Sequence, residues 1–319
     1  MSEKSITKLE NLILELEHRI EDLETAFKQD NFDRSTEISH LKERKEKLQI
    51  ELYAQLSPYD IVKLARHPQR PLSTDYIDLI VEDFIELHGD KHFGDDKAII
   101  CGLGRIENEK VLLVGQQKGK STKERIACNF GMPNPEGYRK ALQKMKLAEK
   151  FHLPIITFID TPGANPDIGA EERGQAQAIA ENIYEMCRLK TPIINVVIGE
   201  GGSGGALGIG IGDKFAILEY AYYSVISPEG CAAILWKNGE NAPDAAKSLQ
   251  LTAKDLLRFG IADEIIPEPI GGAHKDPKIM ANTFKSYLIK YLEELKNVPV
   301  DTLTEKRYKR YRTIGKYLE

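Results

Sequence analysis

The chain has 319 residues, 41% of them hydrophobic and 29% charged, enough for one large soluble α/β domain plus an appendage with a sizeable core. A formal net charge of −5 argues against bulk nucleic-acid binding as the main activity. Charges every few residues in MSEKSITKLENLILELE exclude a signal peptide, and no window supplies the roughly 18 uncharged apolar residues of a membrane-spanning helix.

The N-terminal segment, 1–56, reads as a helical hairpin. Leu9, Leu12, Leu16, Ile20, Leu23 and Phe27 recur at three and four residues, the spacing of one helix face. The polar break KQDNFDRS follows, and Ile38, Leu41, Leu48 and Leu52 resume the stripe. Two helices of about five turns make an antiparallel pair whose stripe needs a surface to pack on, either the main domain or a partner subunit. A Pro-containing connector, 57–71, leads to a capped helix predicted from Ser73 to Leu87. Two β-rich runs, KAIICGLGRI and KVLLVGQQKG, flank the turn-like ENE. KSTKERIACNFGMPNPEG carries poor signals and precedes the helix YRKALQKMKLAEKFH.

From Leu153 the chain repeats itself. LPIITFIDTPGA and TPIINVVIGEGGSGGA each start with a proline, and Pro154 and Pro192 lie 38 residues apart. Each runs through apolar β-branched residues into a glycine-containing turn and then a helix, the pattern of a parallel sheet covered on both faces. A third copy is predicted at KFAILEYAYYSVISPEGCAAILW, where Ser227 caps a helix with Pro228 in its first turn. A helix over Ala253–Gly260, the short strand ADEIIPEP and a helix over Pro277–Leu295 follow, and 297–319 reads as a solvated basic tail or partner contact carrying KRYKRYR.

Cys101, Cys128, Cys187 and Cys231 form no C-x-x-C pair, so they read as small apolar side chains of a reduced, cytoplasmic protein. The stretch GQQKGKS (115–121) approaches a phosphate-binding loop but leaves three residues where that motif needs four. Lys118 and Lys120 there are either a solvated pair or contacts for an anionic substrate. Gly201-Gly202-Ser203-Gly204-Gly205 spells G-x-S-x-G, and its strand–turn–helix context suits a nucleophile elbow. A triad would have to draw on His274, the one histidine after Ser203, with Asp263 as third member. The same glycines equally suit a pocket of backbone amides, with a helix opening near Gly205–Ala206, that stabilises negative charge on a substrate oxygen. Glu172 and Arg173 read as a helix-start charge pattern with a surface ion pair, and Ser227 and Glu229 as a cap.

Four stretches together resemble the carboxyltransferase α subunits of bacterial acetyl-coenzyme A carboxylase: NFGMPNPEGYRKALQKMKLAEKF, IDTPGANPDIGAEERGQAQAIAENI, VIGEGGSGGALGIGIGD and YSVISPEGCAAILW. The resemblance spans Leu9 to about Leu295, the two-helix N-terminus included, with no shared pattern visible beyond about Val298. It implies an α/β crotonase-like (ClpP/crotonase) spiral of β-β-α repeats over 57–296 behind the N-terminal hairpin. It also implies transfer of a carboxyl group from carboxybiotin to acetyl-CoA, giving malonyl-CoA for fatty-acid synthesis. The implied oxyanion hole for the biotin urea falls on the N–H groups of Gly204 and Gly205. Gly201 and Gly202, with Gly163 and Ala164 in the loop 161–170, would line the substrate cleft, and Lys118 would pair with the carboxylate of carboxybiotin. Biotin would arrive on a separate carrier protein loaded by a biotin carboxylase. No zinc ribbon occurs in this chain; the zinc would belong to the β subunit that completes an α₂β₂ core. A serine hydrolase using Ser203 on the same kind of fold is the alternative reading.

Overall fold

The computed structural model describes residues 3–30 and 32–315; the side chain of Leu9 and residues 316–319 of the basic tail lie outside that description. The chain divides into two compact units, 1–57 and 58–319. In the first, helices Glu3–Asp30 and Ser35–Tyr53 form the expected hairpin. At 28 and 19 residues the helices run to about eight and five turns. Ile13 packs on Leu52, with Leu48 and Tyr53 alongside. The exposed pairs Arg19–Glu37 (3.2 Å) and Lys42–Glu24 (2.7 Å) bridge the two helices, and such surface pairs contribute little.

The second unit is built on one sheet of eight strands. These are β1 (Glu82–Glu86), β2 (Ile99–Ile106), β3 (Glu109–Gln116), β4 (Ile155–Thr161), β5 (Ile193–Gly202), β6 (Lys214–Leu218), β7 (Tyr222–Ser224) and β8 (Glu264–Ile266). Their order is β1-β2-β3-β4-β5-β6-β8, with β7 continuing beside β5. The pairs β1–β2 and β2–β3 are antiparallel, and the rest are parallel. The sequence repeat is a register: Ile155 pairs with Ile193, Ile156 with Ile194 and Thr157 with Asn195, each pair 38 residues apart. Buried Asn195 donates its amide N–H to Thr157 Oγ1 at 2.7 Å, so the register also carries a polar pair inside the sheet.

Two sequence expectations are corrected here. The helix predicted over Ser73–Leu87 stops at Ile80, and Glu82–Glu86 forms the edge strand β1. The reason lies on the neighbouring strand: a Cβ at Gly102 would meet Phe84 at 2.3 Å, and one at Gly104 would meet Val81 at 2.4 Å. Two glycines in β2 thus leave room for two side chains whose spacing alone suits a helix, and pairing overrides propensity. The basic tail is also a helix, Val300–Thr313. Its Arg307 is 1% exposed and donates to the carbonyls of Met186, Leu189 and Thr191 and to Asp213 at 2.6–2.9 Å. Arg310 pairs with Asp263, and the hydroxyl of Tyr311 accepts the Gly212 N–H at 2.7 Å. A run of cations shows charge, but the carbonyls that hold Arg307 belong to segments more than a hundred residues away.

The sheet's core gathers Tyr76, Phe158 and Phe284, with ring centroids 4.9 Å (Tyr76–Phe284) and 5.2 Å (Phe158–Phe284) apart. All four cysteines are free. Among the described residues no helix is long and apolar enough to cross a membrane.

Candidate active site

Every residue of β5 is buried, and its last residue passes directly over the loop that follows β4. A Cβ on Gly202 would lie 2.2 Å from the Pro162 carbonyl oxygen, and one on Gly201 would lie 2.2 Å from the Tyr223 ring. Only glycine permits that approach. Ser203 then turns the chain with φ at +55° and opens a single helical turn, Ser203–Leu207, two residues before the predicted start. One turn sums few peptide dipoles. Any stabilisation of negative charge at this turn would therefore come from the individual amides rather than from a helix dipole.

Those amides are free by construction. The N–H groups of Ser203, Gly204 and Gly205 open the turn and have no carbonyl four residues back within it. The Gly204 carbonyl accepts the Gly208 N–H at 3.0 Å. Because that peptide is planar and trans, its N–H, on Gly205, points the other way, out of the turn's N-terminal end. A cavity of about 630 Å³ opens there, with Gly163, Ala164, Ser203, Gly204 and Gly205 on its wall. A Cβ on Gly205 would stand 2.4 Å from the Ala164 nitrogen, whereas one on Gly204 would meet nothing nearer than Ile179 at 4.0 Å. The opposite wall is fixed: Asn165 donates its backbone N–H to the Pro133 carbonyl at 3.0 Å, and Gln175 bonds the same carbonyl at 2.7 Å. Of the residues predicted to bind substrate, Gly163 and Ala164 stand with Gly204 and Gly205 on the cavity. Gly201 and Gly202 end β5, paired with Tyr223 and Ser224.

Lys118 lies apart from the cavity lining. Its ammonium sits 2.6 Å from Asp160 and 2.5 Å from Glu200. Glu200 also accepts from Arg66 at 2.7 Å and from the Tyr222 hydroxyl at 2.7 Å. Burial alone would raise the Glu200 carboxyl, but the charges of Lys118 and Arg66 outweigh it and hold it at about 2. Burial likewise disfavours charge on Lys118, and the two carboxylates reverse that and raise its pKa. This network ties the ends of β4 and β5 together just before the glycine turn. Lys120 pairs with Asp75 instead.

The serine triad does not assemble. Ser203 shares the strained backbone of an elbow, but no histidine lines its cavity. His274 stacks on His67, ring centroids 3.7 Å apart, where burial and the neighbouring cationic groups lower its pKa to about 4. Asp263 is committed to Arg310 and to the Phe215 N–H. Ser227 caps its helix as expected, accepting the Gly230 N–H at 3.1 Å. Glu229 reaches Arg66 and Tyr59, and Arg173 pairs with Glu136 rather than Glu172. Two residues escape sequence reasoning altogether: Gln116 and Tyr138 both donate to the Gly205 carbonyl, at 2.8 and 3.1 Å. Gln116 lies inside the GQQKGKS stretch, where the lysines draw the eye.

Comparison with known proteins bears on this arrangement. Residues 6–315 match the family model described as acetyl co-enzyme A carboxylase carboxyltransferase-like, so the family pattern continues through the C-terminal helix. The chain is 55% identical over 317 residues to the acetyl-coenzyme A carboxylase carboxyl transferase subunit alpha of Rhodopirellula baltica, covering 98% of each chain. It is 54% identical over 310 residues to that of Methylococcus capsulatus, covering 97% of each. Among solved structures it is similar to the transcarboxylase 12S, with a TM-score of 0.58 at 18% identity, over 73% of this chain and 44% of the other. That likeness shows a shared fold, the crotonase-like fold of carboxyltransferases.

Proposed function

The chain belongs to the family of acetyl-coenzyme A carboxylase carboxyltransferase alpha subunits, and from that premise we propose that its glycine turn serves the biotin side of carboxyl transfer to acetyl-CoA, yielding malonyl-CoA. The observation that carries this reading is a cavity walled by free backbone amides, with no histidine on it to activate Ser203. The head of biotin is a small bicyclic urea. A cavity of about 630 Å³ has room for it, and a urea oxygen needs the N–H donors that Gly204 and Gly205 leave unpaired.

Bound there, carboxybiotin would supply the carboxyl group. The chain's part is electrostatic. Amides held in place favour negative charge on the urea oxygen over the neutral ground state, and this lowers the barrier without a side-chain nucleophile. Gly163 and Ala164 keep the facing wall low enough for a tethered ring to enter. Lys118, neutralised between Asp160 and Glu200, supports the frame of the site in this reading rather than touching substrate. The acetyl-CoA side falls to a β subunit, the partner that the alpha-subunit relatives' name implies. Reconstitution tests the whole reading: this chain alone should not turn over malonyl-CoA, and adding the β subunit with biocytin should restore decarboxylation. Ester hydrolysis by this chain alone, lost in Ser203→Ala, would sink it.

A further inference from the structure

A glycine turn is the least self-restrained backbone in a protein, since no Cβ limits its dihedrals. A preorganised oxyanion hole requires the opposite, amides that do not reorient during the reaction. The restraint must therefore come from outside the turn. Resting on the oxyanion-hole reading above, we propose that Gln116 and Tyr138 are positioning residues that aim the amides of the glycine turn into the cavity.

Gln116 is the last residue of β3 and is fully buried. Its Nε2 donates to the Gly205 carbonyl at 2.8 Å, and its Oε1 accepts the Asp160 N–H at 3.0 Å. One side chain thus ties the turn to the end of β4. Tyr138, also fully buried, donates its hydroxyl to the same carbonyl at 3.1 Å, and its ring lies so close to Gly208 that a Cβ there would stand 2.5 Å away. Both side chains come from outside the turn's own helix, so together they fix the tilt of the Gly205–Ala206 peptide. That peptide and the Gly204–Gly205 peptide pivot on the same Cα. Holding one limits the swing of the other, whose N–H belongs to the hole. Asn182 adds a third tether, donating to the Gly208 carbonyl at 2.9 Å. Neither Gln116 nor Tyr138 lines the cavity, so neither contacts substrate, and their effect passes through the backbone.

The test uses the enzyme assembled with its β subunit, following malonyl-CoA decarboxylation in the presence of biocytin. Gln116→Met keeps length and loses both hydrogen bonds; kcat should fall roughly 10- to 100-fold, with KM for malonyl-CoA within about twofold. Tyr138→Phe, which loses one hydroxyl and folds around the same ring, should lower kcat several-fold. Gln116→Glu separates aim from packing. Its protonated acid can still donate to the Gly205 carbonyl and its ionised form cannot, so kcat should gain a new limb that falls as pH rises. Unchanged kcat in both Gln116→Met and Tyr138→Phe, or a change confined to KM, overturns the proposal. If Gln116→Met fails to fold, Tyr138→Phe and the pH limb of Gln116→Glu decide it. Gly204→Val in the same assay keeps the two readings apart. Loss there with intact Gln116 and Tyr138 variants overturns positioning alone, and full activity in Gly204→Val overturns the hole itself.

Discussion

Gly204 and Gly205 are neighbours in the chain but differ in what surrounds them. A methyl at Gly205 would press on the backbone of Gly163 and Ala164, which cannot step aside as a side chain can. Gly205→Ala should therefore destabilise by about 1–3 kcal/mol, seen as a lower Tm, and its activity loss would be a mixed effect of packing and chemistry. Ser203 sits exposed at φ +55° with no histidine on its cavity, so Ser203→Ala should leave carboxyl transfer within about threefold, where a serine nucleophile would lose roughly a thousandfold or more. The turn was legible in the sequence because its glycines follow a long apolar β-branched run. Its clamps were not: Gln116 and Tyr138 lie 89 and 67 residues from Gly205, and nothing local marks a buried amide or phenol as a donor to a distant carbonyl.

Helices and strands were legible where their periodicity was repeated and obscure where a partner decided them. The 38-residue repeat became the parallel register of β4 and β5, because identical apolar patterns bury identically. Residues 82–86 and the C-terminal helix went otherwise, one chosen by glycines on β2 and the other by carbonyls left bare near Met186–Thr191. Arg307→Met should therefore strip buried Asp213 of its cation, leaving it the Ile193 N–H, and take the Arg307 donors from three carbonyls, at a cost of about 3–5 kcal/mol; thermal unfolding checks it, and an unchanged Tm would refute that role for Arg307. The strand ends carry an acid-sensitive lock. Glu200 has its folded value near 2 against 4.5 for the ordinary carboxyl. Its contribution is present above about 4.5 and is lost as pH falls from there toward 2. Denaturant midpoints across that window should decline less steeply in Glu200→Gln than in the native chain.

The 58–319 unit holds the eight-stranded sheet and the cavity, and the family match runs through both units from residue 6 to 315. In the proposed reading, a strand end, a strained serine and two glycines would supply charge stabilisation without a reactive side chain. That claim is most directly tested by kcat of the Gly204→Val enzyme, assembled with its β subunit and assayed for malonyl-CoA decarboxylation with biocytin. Gly204 has room for a side chain, so the variant should fold and assemble like the native chain. Valine keeps the backbone N–H but adds an isopropyl group to the cavity wall where the urea oxygen must approach, so kcat should fall roughly 100-fold or more at unchanged Tm; native activity in that well-folded variant would contradict the proposed site.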